Sequence, residues 1–163
     1  MCLCVTERLI IRPFEKSDIS SYSQIISDPS VMKYIGNGKP QTFSQAESYI
    51  IKNIEHYESF GWSRFAVVES KSDNLIGFCG YSYYNNEIDF GWRYAKKYWN
   101  KGYGTEAALA VLDIGLNKFN FSRIVCISFP MNIGSIKIIK KLGFKFEKNI
   151  NLEGNELKQY VYE

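Results

Sequence analysis

Tyr98-Trp99-Asn100-Lys101-Gly102-Tyr103-Gly104-Thr105-Glu106-Ala107 is the stretch on which the reading of this chain turns. It leads straight into Gly104–Phe119, where Ala108, Leu112, Gly115/Leu116 and Phe119 recur at helical spacing and predict an amphipathic helix. Two glycines at a helix N-terminus let main-chain N–H groups approach an anion, and the helix dipole adds about half a positive charge there. Lys96, Lys97 and Lys101 stand just upstream. Alone, G-x-G describes a plain turn equally well. Gly102-x-Gly104-x-x-Ala107 also satisfies the dinucleotide-binding pattern, which requires an apolar strand before the first glycine and an acid ~20 residues on. Here the polar, aromatic run Tyr94–Asn100 precedes it, and Arg123-Ile124-Val125-Cys126 stands where the acid would be. No G-K-[ST] follows, so the Walker pattern fails too.

Working outward, Arg8–Arg12 reads as a short strand ended by Pro13. Ser17 and Asp18 cap a helix to about Ser27 that Asp28-Pro29 stops. Gly36–Pro40 is a loop, and Ser44 opens a second amphipathic helix running to Gly61. Trp62–Val68, Leu75–Tyr83 and Glu87–Arg93 read as a three-stranded meander around polar turns. After the Gly104 helix come a strand, Arg123–Phe129, and a helix, Asn132–Leu142, capped by Gly143. Two strands, Phe144–Ile150 and Glu156–Tyr162, close the chain. The sum is one α/β domain over residues 1–163, without repeats or linkers.

The chain's 163 residues and 18.9 kDa suit such a single domain, and 45% hydrophobic with 23% charged residues is an ordinary globular balance. No apolar run nears the ~20 residues of a bilayer span, and the N-terminus lacks a secretion signal. Cys2, Cys4, Cys79 and Cys126 form no C-x-x-C, and one histidine, His56, accompanies them, so the expectation is a reduced, cytoplasmic protein without a metal site. His56, beside Glu55, is expected at the exposed side of its helix, and Cys79 and Cys126 in the core. Charge is uneven: Phe90–Phe146 carries ten bases against two acids, and the remainder carries ten against fifteen. That asymmetry favours a compact anion over nucleic acid, whose length the acidic remainder would repel.

Four segments in order carry a resemblance. Ile88-Asp89-Phe90-Gly91-Trp92, then Tyr98–Ala107, then Asn132-Ile133-Gly134-Ser135, then Lys141-Leu142-Gly143-Phe144 resemble the GNAT superfamily of acetyl-CoA-dependent N-acetyltransferases, in its RimJ/RimL-like branch. Thr6–Pro13 also looks like that branch's first strand. Trp99 departs from the Gln or Arg usual three residues before the first glycine, a departure familiar within the branch.

The resemblance implies an α/β (α+β) fold with a mixed, mostly antiparallel central sheet flanked by helices and splayed between the fourth and fifth strands, Glu87–Arg93 and Arg123–Phe129. The pantetheine arm of acetyl-CoA would pair there with the main chain of Phe90, Trp92 and Arg93. The pyrophosphate would rest on Lys97, Lys101, Gly102, Tyr103, Gly104 and Thr105. Lys137, Lys140 and Lys141 stand on the later helix toward the 3′-phosphate, although lysines on a helix back are usually solvated, and at least two are read that way.

Acetyl transfer to an amine needs a neutral amine, a polarised carbonyl and a stabilised leaving thiolate. Asp89 and Glu87 share one face of the strand entering the site, and either suits a proton acceptor. Asp89 ranks first, because the branch has a carboxylate there; Glu87 also reads as an ordinary exposed carboxylate. Asn132 would hold the pantetheine amide and Ser135 would protonate the sulfur, while both also read as the opening of a helix. The expected reaction is direct attack of a primary amine, protein N-terminal or small-molecule, in a ternary complex, by a monomer or homodimer. The alternatives are a non-catalytic acyl-CoA-binding or regulatory module and a nicotinamide-dependent oxidoreductase.

Overall fold

Leu9 and Ile11 are buried where the chain first becomes a strand, as alternation along Arg8–Arg12 requires. The computed structural model describes residues 1–163. Its eight strands are β1 (Cys4–Val5), β2 (Leu9–Pro13), β3 (Arg64–Glu69), β4 (Asn74–Tyr84), β5 (Glu87–Tyr94), β6 (Ile124–Ser128), β7 (Lys145–Leu152) and β8 (Asn155–Tyr162). They form one sheet in the order β1-β2-β3-β4-β5-β6-β8-β7. All neighbours are antiparallel except β5 and β6. This is the mixed, mostly antiparallel sheet expected. The two-residue β1 is an addition, formed because Leu3 and Cys4 pack against the core that Leu9 and Ile11 begin.

The helices are α1 (Ile19–Ile26), α2 (Pro29–Met32), α3 (Phe43–Phe60), α4 (Tyr103–Asn117) and α5 (Ile133–Lys141). Ala66 and Phe78 meet Tyr22, Ile26, Met32 and Ile50 of the first three helices on one face of the sheet. Phe65, Val67, Cys79, Tyr81 and Phe90 meet Ala107, Val111, Leu112 and Ile139 of α4 and α5 on the other. Burying each such Phe, Ile or Leu contributes about 1.5–3 kcal/mol. Close approach of α4 to the sheet depends on Gly115, where a Cβ would stand 2.1 Å from the Tyr81 hydroxyl oxygen. That hydroxyl donates to Val111 O at 2.8 Å and satisfies an otherwise buried polar group.

Two local expectations change. Asp28-Pro29 ends α1 and also starts α2, because Asp28 Oδ1 accepts the Ser30 N–H at 2.8 Å and Pro29 takes the first helical position. His56 is not freely exposed. Gly61, at φ 77, turns the chain back so that the His56 ring Nδ1 lies 2.8 Å from Trp62 O, and Phe60, Trp62 and Tyr83 close around the imidazole. A carbonyl only accepts, so Nδ1 carries the proton.

Candidate active site

β5 and β6 hold only two pairs, Ile88 with Ile124 and Asp89 with Val125. Beyond them β5 stays with β4 as far as Tyr94, and β6 stays with β8 as far as Ser128, so the sheet parts in a V. Main-chain groups alternate sides along a strand, and Ala95 N–H donates to Ile76 O on the β4 side at 2.9 Å. By that alternation Gly91 and Arg93 direct their main chain to β4, whereas the Phe90 C=O and the Trp92 N–H and C=O face the V. Main-chain groups buried without a sheet partner need another one, and an extended amide-bearing arm laid in the V supplies it as an added strand would.

The V opens into a cavity of about 290 Å³ walled in part by Arg64, Asp89, Trp92, Cys126, Asn132 and Ser135. Of the residues singled out in the sequence, Asp89, Phe90, Trp92, Arg93, Asn132 and Ser135 meet here. Arg93 contributes its side chain, which donates through Nη1 to the Tyr22 hydroxyl at 2.7 Å. Glu87 is elsewhere: its carboxylate pairs with Arg123 Nε at 2.9 Å, in a hub that also takes Glu147 and Glu163. Asn132 caps α5, accepting the Ser135 N–H on Oδ1 at 3.4 Å. The Ser135 hydroxyl has no hydrogen-bond partner within the protein.

At the open end of the V, Gly102 adopts the left-handed φ of 83 that glycine supplies without strain. No side chain caps α4. The first of its N–H groups with a main-chain partner is Glu106, which donates to Gly102 O at 3.0 Å. The N–H groups of Tyr103, Gly104 and Thr105 are left for an external acceptor. A Cβ on Gly104 would stand 3.0 Å from Ile138 Cδ1 and 3.3 Å from Tyr94 Cε2, so glycine is what brings α5 against the first turn of α4. Exposed Lys101, Lys137 and Lys141 have no ion-pair partner; Lys101 immediately precedes this turn, and the other two stand on α5, which packs against it through Ile138. Lys97 lies over the Tyr98 ring, 5.1 Å from its centroid, and lines a separate depression with Asp28 and Asp73.

Two residues that sequence reasoning passed over shape the site. Arg8, read as part of a strand, reaches across to Lys101 O at 2.9 Å and ties the glycine loop to β2. Arg64 donates to Asp89 Oδ2 at 2.5 Å and to Gly80 O at 2.5 Å. Burial pushes the Asp89 carboxyl above its usual range, and the Arg64 charge draws it part of the way back. An arginine at the first position of a strand gives no signal of either partner. Cys126 lines the V, but burial pushes its thiol well up, as it does for Cys79. Neither is an activated nucleophile.

The residues present fit acetyl-CoA: unpaired main chain for the pantetheine amides, uncapped N–H groups for a pyrophosphate, and lysines with no other partner. No group of three or more His, Cys, Asp or Glu side chains comes together to hold a metal ion. No helix is long and apolar enough to cross a membrane.

Known proteins agree with this assignment. Residues 8–145 match the family model of the acetyltransferase (GNAT) domain. The chain is 36% identical to the uncharacterized N-acetyltransferase YnaD of Bacillus subtilis (strain 168) over 156 residues, covering 93% of this chain and 89% of that protein. A crystal structure of a GNAT-family acetyltransferase from Bacillus anthracis superposes with a TM-score of 0.82 at 30% identity, covering 97% of this chain and 95% of the other. RimL, a ribosomal alpha-N-protein acetyltransferase solved in complex with coenzyme A, superposes with a TM-score of 0.85 over 99% and 97% of the two chains. At 12% identity that likeness speaks for the fold. The chain belongs to the GNAT acetyltransferase family and is an acetyl-CoA-dependent N-acetyltransferase.

Proposed function

We propose that this protein is a RimJ/RimL-like enzyme whose acceptor is a primary amine of modest basicity, a protein N-terminal α-amine or a small-molecule amine, attacked directly in a ternary complex. The observation that carries this reading is the Asp89 side chain in the wall of the V, with Oδ2 held by Arg64 and Oδ1 bonded to no protein group. A free α-amine titrates at about 7.7–8.0 and is partly neutral at physiological pH, so one weak base completes its deprotonation. A lysine-like amine near 10.4 asks for more. The cavity wall carries only one other carboxylate, Glu153 at the tip of the β7–β8 hairpin, few for a polycationic acceptor.

Acetyl-CoA supplies the acetyl group already activated as a thioester. Trp92 N–H, facing the V, is placed to polarise the carbonyl. Asp89 Oδ1 takes a proton from the attacking amine and returns it to solvent, and the Ser135 hydroxyl, free of other partners, gives one to the leaving thiolate while regaining one from solvent. Thus the C–N bond forms as the C–S bond breaks, with no acyl-protein stage. A base so placed is worth typically 10²–10⁴-fold. Residues 1–163 act in this reading as one acetyltransferase domain, in the cytoplasm, as a monomer or homodimer.

The test begins with calorimetric titration by acetyl-CoA, with NADH as control. Thiol release is then followed with a peptide bearing a free N-terminus, the same peptide N-formylated, and spermidine. Release with the free peptide alone supports the reading. Release with spermidine alone overturns the α-amine preference, and absence of acetyl-CoA binding overturns the site.

A further inference from the structure

Arg64 is a charged side chain placed almost entirely inside the protein: 12% of its side chain is exposed, against 15% for Asp89. Desolvating a guanidinium costs several kcal/mol unless its donors are used. Here they are used in a fixed pattern. Nη1 donates to Gly80 O on β4 at 2.5 Å and, longer, to Asp89 O on β5 at 3.3 Å. Nη2 donates to Asp89 Oδ2 at 2.5 Å. One guanidinium from β3 thereby reaches its neighbour β4 and, beyond it, β5, and the tie lies where β5 begins to leave β6.

The route of that side chain is set by Gly91. A Cβ at this position would stand 2.8 Å from Arg64 Nη1 and 3.1 Å from both Cζ and Nη2. Gly91 lies within β5 at a negative φ, so a turn does not explain the glycine. Clearance for the Arg64 fork does. Arg64 also passes the Phe78 ring, with Cζ 5.6 Å from its centroid.

Resting on the reading of Asp89 as proton acceptor, we propose that Arg64 is its positioning residue: the fork immobilises Oδ2 and thereby presents Oδ1 to the amine at the parting of β5 and β6. The groups facing the Asp89 carboxylate are few. They are Arg64 from β3, the Ser82 hydroxyl from β4 at 3.5 Å, and the Cys126 thiol from β6, which burial keeps neutral. Arg64 is the sole cation among them. It therefore sets both the rotamer of the carboxylate and the pH at which it can accept a proton; Asp89 lacking this cation would stay protonated to higher pH.

The test reads Asp89 directly, so that it does not depend on the acceptor. The protein is labelled with carboxyl-¹³C aspartate, and the Asp89 resonance is assigned by its loss in D89N. It is then titrated in the wild type, R64Q and R64K. Removing the cation is expected to raise the Asp89 midpoint by one unit or more in R64Q, with R64K between R64Q and the wild type. R64K keeps a buried positive charge and is the variant to read if R64Q does not fold. In the peptide assay kcat is expected to fall about 10-fold or more in R64Q, its acid limb moving to higher pH, with the calorimetric affinity for acetyl-CoA unchanged. An Asp89 midpoint that stays at the wild-type value in the folded variants overturns the proposal. A midpoint that moves while D89N retains full activity leaves the Arg64–Asp89 coupling standing but overturns Asp89 as the base, and with it the catalytic role of Arg64.

Discussion

Glu106 accepts twice from Arg8, on Oε1 from the main-chain N–H at 2.8 Å and on Oε2 from the side-chain Nε at 2.7 Å. Thr6 adds a third bond, its hydroxyl donating to Oε1 at 2.6 Å. The acid of the first turn of α4 is thus the anchor that holds the glycine loop to the N-terminal strands. Arg8 adds a face-on contact with Tyr103, its Cζ 4.2 Å from the ring centroid.

This anchor makes stability depend on pH. Burial raises the Glu106 carboxyl, but the bonds from Thr6 and Arg8 outweigh it and leave the group below its ordinary value of 4.5. A depressed carboxyl contributes stability that is fully present above its unfolded pKa and is lost as pH falls through the folded one. E106Q is expected to cost about 1–2 kcal/mol at pH 7. Urea midpoints measured from pH 7 to pH 3 should converge between the wild type and E106Q below pH 4.5. A gap that persists at pH 3 would show that the carboxylate charge contributes nothing.

Gly102 and Gly104 separate conformation from clearance. G102A must place a side chain at φ 83, a left-handed geometry that costs about 1–2 kcal/mol, while the N–H groups of α4 keep their directions. It is expected to lower the melting temperature and leave acetyl-CoA binding within a few-fold. G104V is expected to fold with a shifted Ile138 and to lose acetyl-CoA binding by calorimetry, because its side chain rises where Tyr94 and Ile138 already close in. Wild-type affinity in G104V would remove this turn from the binding site.

The loop was legible because its information is local. Glycine identity, the amphipathic run behind it and the lysines ahead of it all fall within Lys96–Phe119. Residues 124–128 and 87–94 were legible as strands for the same reason, through short apolar or alternating runs between turns. Their parting after Asp89 and Val125 was not derivable from pattern, since it depends on β8 holding β6 while β4 holds β5; only the resemblance implied it. Arg64 was illegible for a related cause. Its meaning lies in Gly80, Asp89 and the missing Cβ of Gly91, all far along the chain. His56 was misplaced because helical periodicity describes α3 alone and ignores what Gly61 folds back over it.

The thiols offer a check on direct attack. Burial pushes Cys126 and Cys79 well above the usual thiol range, so neither forms thiolate near neutral pH, while Cys2 is exposed. Iodoacetamide at pH 8 is therefore expected to modify Cys2 readily and to spare Cys79 and Cys126 in the folded protein, as peptide mapping would show. C126A is expected to keep kcat within about threefold, the effect of a small core truncation on a neighbouring site. A loss of 10²-fold or more in C126A, with an acetylated Cys126 trapped after mixing with acetyl-CoA alone, would replace direct attack by a two-step route.

Lys137 and Lys141 flank Ile138, whose Cδ1 lies where a Gly104 Cβ would meet it at 3.0 Å. The second turn of α5 is therefore beside the first turn of α4, and both ammonium groups are free to swing toward a phosphate bound at its N–H groups. An exposed lysine on an anion is worth less than about 1 kcal/mol in salt solution, so a single substitution should weaken acetyl-CoA binding by no more than about fivefold. The informative comparison is between acetyl-CoA and its 3′-dephospho form. If Lys137 meets the 3′-phosphate, K137A weakens the first and leaves the second untouched, and the preference of the wild type for the phosphorylated form shrinks by the same factor. Equal weakening of both would place Lys137 at the pyrophosphate. No weakening of either would make it a solvated lysine on the back of α5, and K141A, read in the same way, decides the same question for the next turn of the helix.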